Sequence, residues 1–248
     1  MKRLFIIFAF IGFIHNSCTD LDTELYDILD PNEFAPDPGQ KMAVIYAPMR
    51  DFLDWGGWWF AQEITGDGVV MPTRAGDWDD GGKWRVLHTH EWDNNTEAVS
   101  SMWSRFFTGV TEANKFIESQ QEFAENPVIA SAIAKAKILR SYYYYLLIDN
   151  YGSVPYLTTF INAPAQPLPT PRADIFDSIV NTIEENIHLI GPSNSITGMT
   201  REIAFSILAK LYLNHAVYTG VVDPAYWQKA LNADRKSTRL NSSHGIIS

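Results

Sequence analysis

The sequence predicts a mostly α-helical protein in which paired helices alternate with long irregular loops. Two observations carry this: apolar residues recur at helical spacing in stretch after stretch from residue 40 onward, and the one long departure from that spacing is crowded with glycine and tryptophan. That departure, residues 55–103, holds seven of the eight tryptophans, mixed with Gly, Asp, Asn and Arg. It is too polar and too rich in helix breakers for a core helix, yet its flat apolar rings are costly to expose. A ligand surface reconciles the two. Sugars are the favoured ligand class, because a pyranose offers C–H faces to stack on Trp and hydroxyls for Asp, Asn and Arg. Ordinary burial is the competing use of Trp, and about half of the seven are assigned to packing.

At 248 residues the chain has ample length for a core. Its formal charge of −10, with no long basic patch, argues against nucleic acid, whose phosphates demand a basic surface. Cys18 is the only cysteine, so no internal disulfide can form. Lys2 and Arg3 followed by the apolar run 4–14 and Ser17-Cys18 have the layout of a signal peptide, residues 1–17. The arrangement resembles a bacterial lipoprotein signal, with Cys18 lipidated as the new N-terminus, although His15 and Asn16 depart from the usual residues before that cysteine. Such an anchor attaches a protein to a membrane without a spanning helix. Residues 18–39 are acidic and punctuated by proline, and read as a tether.

Met42, Ile45, Met49, Phe52 and Phe60 are spaced for a helix over 40–63, with breaks at Pro48 and at Gly56-Gly57 that deliver Trp55, Trp58 and Trp59 to a bend. Residues 65–90 hold five glycines and a proline among polar residues, which predicts an ordered functional loop. Val99, Met102, Phe106, Val110, Ala113 and Ile117 mark the next helix, over 97–123. The following one has both ends written in: Asn126 as N-cap, Pro127 at the first position and Gly152 as terminator. Tyr142 to Tyr145 surround that helix with aromatics and predict burial on several sides. After a proline-rich loop, residues 174–191 and 200–220 form a helical hairpin, with Thr200 as N-cap and Gly220 at the end. Asp223-Pro224 opens another helix whose apolar face begins with Tyr226, Trp227, Ala230 and Leu231, so the pattern is one of stacked pairs of tetratricopeptide type.

That last face stops without a cap at residue 233. Residues 234–244 resemble the in-frame translation of a sequencing adapter, and 234–248 are set aside as a non-native tail. Removing Asp234, Arg235, Lys236 and Arg239 takes away a net +2, and Lys2 with Arg3 another +2, which leaves −14. The native chain is expected to continue past 233.

Several stretches together resemble the SusD/RagB family, surface glycan-binding lipoproteins of Bacteroidetes-type nutrient uptake systems. They are Cys18 with LDTE behind it, GDGVVMPTRAGDWDDGG, HEWDNN, KAKILRSYYYYLLIDNYGSVPY at 135–156 and TREIAFSILAKLYLNHA at 200–216. The resemblance implies a SusD-like fold of tetratricopeptide-like helix pairs with long ligand-binding loops, truncated here, with residues 40–233 as its N-terminal part. It also implies a non-catalytic protein without cofactor or metal, held in the outer membrane at the cell surface. Its role would be to capture oligosaccharide or polysaccharide and pass it to a SusC-like, TonB-dependent barrel. The family's contact pattern of an acid and an arginine, then a Trp with an Asn three residues on, falls on Asp67, Arg74, Trp92 and Asn95. Trp78 is added from its setting in the loop.

Structural uses compete at each position. Trp92 can simply be buried, Asn95 can end a turn or cap the helix starting near Thr96, and Asp67 can pair with Arg74. Asp77, Asp79 and Asp80 offer hard oxygen ligands, but His88 stands where an EF-hand would need Glu. His88 and His90 have no third ligand at zinc spacing. The rival functions are a peptide-binding tetratricopeptide scaffold, which would not need the Trp-rich loop, and a glycoside hydrolase using a pair among Glu63, Asp67, Asp79 and Asp80.

Overall fold

A computed structural model describes residues 38–54, 57–191 and 197–242, with side chains as far as 237. The signal-like residues 1–17, Cys18, the tether as far as residue 37 and Trp55 lie outside the described residues, and residues 38 and 39, expected in the tether, already belong to a helix. Helix α1 (Pro38–Tyr46) gives way to a 3₁₀ turn (Ala47–Leu53) beside Pro48, and α2 (Trp58–Thr65) starts afresh after Gly57. Only glycine fits there, since a Cβ on Gly57 would meet the Asp51 carbonyl at 2.4 Å. Then come α3 (Lys83–His88), α4 (Glu97–Gln120) and α5 (Pro127–Tyr151).

The ends of α5 obey the local signals. The Asn126 side chain accepts from the Val128 amide at 2.9 Å, Pro127 takes the first turn, and Gly152 leaves at φ +78°. Tyr143, Tyr144, Leu146, Leu147 and Ile148 are all buried, so α5 is the central helix, packed by α4 on one side and α6 (Arg172–Asn186) on the other. Two short strands, β1 (Val154–Pro155) and β2 (Pro169–Thr170), pair antiparallel and close the proline-rich loop between α5 and α6.

The helix expected over 200–220 is two helices, α7 (Arg201–Leu213) and α8 (His215–Thr219). Asn214 makes the break: its backbone and side-chain N–H groups both donate to the Lys210 carbonyl, which stops the ladder by satisfying the last turn. The last helix, α9 (Pro224–Ser242), begins where Asp223 accepts from the Ala225 amide. It runs on past residue 233, where the apolar pattern of the sequence stops. The face that α9 buries matches the expected one at Tyr226 and Ala230 and departs from it at Trp227 and Leu231. Ala230, Ala233 and Ser237 turn inward against α7, with the Ser237 hydroxyl 2.6 Å from that of Ser206, while Trp227 and Leu231 are exposed. Small residues permit a close approach that two bulky side chains would block. The architecture is mostly α-helical with helices packed in pairs, as the sequence predicts, but the main pairs are α4 on α5, α5 on α6 and α7 on α9, whereas the expected hairpin of α6 with α7 is a lesser contact.

Candidate binding surface

The surface is built where α2 and α3 end. Ile64 and Ala61 bury one side of α2, and its last turn closes with the Thr65 hydroxyl on the Ala61 carbonyl at 2.6 Å. The amides of Gly68 and Val69 then both return to the Glu63 carbonyl, so the chain reverses through Asp67 at φ +60°. This throws the Asp67 carboxylate out to solvent, 3.6 Å from His88 Nδ1 at the end of α3. Asp67 therefore meets His88 and not Arg74.

Helix α3 is anchored by Trp84, whose ring lies against Phe60 in the core and whose Nε1 donates to Asp80 at 2.7 Å. Its Arg85 holds Asp79 at 2.7 Å. Two of the three loop aspartates that resembled a calcium set, and two of the four acids available to a hydrolase, are thereby committed to neighbours. Among the described residues no cluster of three or more His, Cys, Asp or Glu could hold a metal ion.

Beyond α3 the chain turns at His90, φ +62°, whose Nε2 sits 2.9 Å from the Thr65 carbonyl and whose ring lies 5.1 Å from that of Trp92. Trp92 is 42% exposed. Asp93 then organises the turn into α4: one carboxylate oxygen accepts from the Asn95 and Thr96 amides at 2.9 and 3.0 Å, the other from the Asn95 side chain at 3.3 Å. These bonds, the Asn95 amide's first, hold the Asp93 carboxyl below its ordinary range. Asn95 thus belongs to a turn, and Thr96 occupies the N-cap position of α4. His88, His90 and Asp93 are the residues that sequence reasoning did not assign to the surface; the Asp-x-Asn-Thr spacing ahead of a helix is the signal for the last of them.

Arg74 and Trp78 sit on a separate projection. Arg74 and Asp77 exchange backbone hydrogen bonds at 3.0 and 2.9 Å around Ala75 and Gly76, both at positive φ, as in a type I′ turn. Trp78 follows at φ +61° and is 37% exposed. Asp67, Ala75, Trp78, Asp80 and His90 are the non-glycine residues at positive φ among those described, and all fall between 67 and 90. Each costs roughly 1–3 kcal/mol, a strain that persists where surrounding structure enforces it and that clusters at functional sites.

Of the seven tryptophans, Trp84 is buried and Trp58 half-buried, whereas Trp59, Trp78, Trp92 and Trp103 are each more than a third exposed. Among the described residues, cavities lie elsewhere, including one of about 370 Å³ between Tyr46, Leu139, Tyr142 and Met199 and one of about 520 Å³ between α7 and α9. The five predicted contact residues line neither. All five are exposed.

A family profile described as starch-binding, associating with outer membrane, matches residues 83–207, half of the chain. The chain belongs to the SusD-like family. It is 20% identical over 235 residues to SusD-like protein P2 of Formosa agariphila, covering 91% of this chain and 46% of that protein. Its fold matches a SusD superfamily protein from Parabacteroides distasonis with a TM-score of 0.69 at 16% identity, over 86% of this chain and 46% of the other. A laminarin-binding SusD-like protein matches with a TM-score of 0.63 at 19% identity, over 79% and 41%. The chain thus spans about half the length of these SusD-like relatives.

Proposed function

We propose that this SusD-like chain is the glycan-binding part of a non-catalytic lipoprotein, anchored through Cys18 at the outer-membrane surface. It captures oligosaccharides and hands them to a SusC-like, TonB-dependent barrel. The observation that carries the reading is the turn 90–96, where an exposed Trp92 stands beside an Asn95 amide whose orientation Asp93 fixes. An indole face for the sugar ring and a fixed amide for its hydroxyls are the two elements that recognition of a pyranose needs. Asp67, Arg74 and Trp78 extend the surface as polar and stacking contacts. The engagement of Asp79 and Asp80 with Arg85 and Trp84 supports binding over hydrolysis. The starch-binding description of the family and the laminarin bound by one relative support the same ligand class.

The test is affinity electrophoresis and calorimetry of the chain with soluble starch, laminarin and their oligosaccharides. Binding by the wild type, weakened at least tenfold in the Trp92→Ala, Trp78→Ala double variant, about 1.4 kcal/mol, is the expected result. Undiminished retention by that variant would remove these loops as the site. Release of reducing sugar would replace the reading with an enzymatic one.

A further inference from the structure

Helix α4 leaves the Asn95 turn with an exposed stripe that neither the family pattern nor the five predicted contacts include. Positions 96, 100, 103 and 107 fall on one face by helical spacing, and 97 and 104 flank it. On this stripe Thr96, Glu97, Ser100 and Ser104 are polar, and Trp103 is 37% exposed. Trp103 is held by two rings: Tyr151 meets it edge-on at 5.1 Å and 86°, and Phe107, one turn on, lies 4.7 Å away. Tyr151 is itself fixed to α4, since its hydroxyl donates to the Val99 carbonyl. An exposed indole locked in place by packing has little rotamer freedom left to lose on binding, which is what a stacking surface requires.

Three occupants could explain an exposed, braced Trp. Tyr151 and Phe107 cover part of the ring but leave 37% of Trp103 exposed, and a purely apolar protein surface would be badly matched to Glu97, Ser100 and Ser104 beside that exposed part. A sugar chain fits both, with C–H faces for the indole and hydroxyls for the flanking groups. Position also favours it. Six residues of helix separate Glu97 from Trp103, a rise of ~9 Å, farther than one pyranose ring reaches from the Trp92 and Asn95 turn.

We infer that Trp103, with Ser100 beside it, forms a distal subsite that binds the continuation of a glycan whose first units lie on Trp92 and Asn95. This rests on the glycan-capture reading and specifies its substrate as an extended chain in place of a mono- or disaccharide. Binding would then depend on chain length, with affinity rising once the glycan is long enough to reach Trp103.

The experiment is calorimetry of the full chain with maltooligosaccharides and laminarioligosaccharides of increasing length. It compares the wild type with Trp103→Ala and with Ser100→Lys, which intrudes on the stripe without touching the packing of Trp103. The expected result is a loss of tenfold or more for long oligosaccharides and no change for disaccharides, in both variants. Wild-type affinity of Ser100→Lys for long chains would overturn the subsite, and so would an equal loss at every length, which marks a structural role. If Trp103→Ala fails to fold, as circular dichroism would report, Ser100→Lys decides. Should the wild type itself bind none of these glycans, the capture reading fails first and the subsite with it.

Discussion

Gly109 of α4 and the ring of Tyr143 of α5 meet so closely that a Cβ on Gly109 would stand 2.1 Å from Tyr143 Cζ. The ring cannot step aside cheaply. It is fully buried, Phe52 packs edge-on against it, and its hydroxyl donates to the Ile45 carbonyl at 2.6 Å. Replacing a mid-helix glycine by alanine ordinarily gains up to ~1 kcal/mol of helix propensity. Here the overlap wins. Gly109→Ala is expected to destabilise the fold by about 1–3 kcal/mol or more, read as a lowered urea midpoint. A raised midpoint would show that the α4–α5 crossing is looser than this geometry.

Arg140 is a buried cation with neutral partners. Its Nη1 donates to Asn114 Oδ1 at 2.7 Å and to the Thr158 carbonyl at 3.0 Å, while the Asn114 amide reaches the Leu157 carbonyl. Burial pushes its pKa below the ordinary arginine value. The network ties residues 157–159 to α4 and α5. Asn114→Leu leaves the charge in place and strips a partner, so it should cost about 2–3 kcal/mol. Arg140→Met removes the charge itself and should cost less. Urea unfolding of both variants checks the order, and the reverse order would mean that the guanidinium packs more than it bonds.

The tyrosine run of α5 predicts the alkaline limit of the fold. Burial raises all four phenols, Tyr145 to about 12 and Tyr143 and Tyr144 beyond it. In the unfolded chain they ionise near pH 10. The folded state therefore keeps this contribution in full below about pH 10 and loses it as pH climbs from there toward the raised values. Phenolate absorbance and far-UV circular dichroism, followed together, should show these phenols ionising as the helices melt. Early ionisation with the helices intact would contradict the burial.

What the sequence disclosed of this fold was written in local signals. Asn126, Pro127 and Gly152 delimit α5 because capping and φ preferences act within a few residues. The break at Asn214 was hidden, since Asn is tolerated in helices and stops α7 only because its side chain turns back to Lys210. The inward face of α9 was half legible: Tyr226 and Ala230 pack inward as expected, but the preference for Ala233 over Trp227 and Leu231 depends on how near α7 comes. In the loops no period separates the buried Trp84 from the exposed Trp92. The pairing of Asp67 with His88, and of His90 with Thr65, joins segments whose proximity only the packing of α2 beside α3 creates.

The turn that presents Asn95 is the part of the surface that pH can dissolve. Asp93 is wholly exposed, so it adds little to global stability, but as a carboxylate it accepts from two amides and a side chain at once. Those bonds depress its pKa, and the sign follows: their contribution is complete above the ordinary Asp value of about 4 and is lost as pH falls through the lower, folded value. The Asn95 amide resonance should therefore titrate with a midpoint below that of an unstructured Asp, and glycan affinity should fall over the same window while the helices persist. Asp93→Ala should reproduce the acid form at neutral pH, weakening glycan binding several-fold with the melting temperature nearly unchanged. Asp93→Asn keeps one carbonyl for the backbone amides and should lie between the two. If Asp93→Ala binds as the wild type does, the orientation of Asn95 contributes nothing to recognition, and Trp92 would have to act by stacking alone.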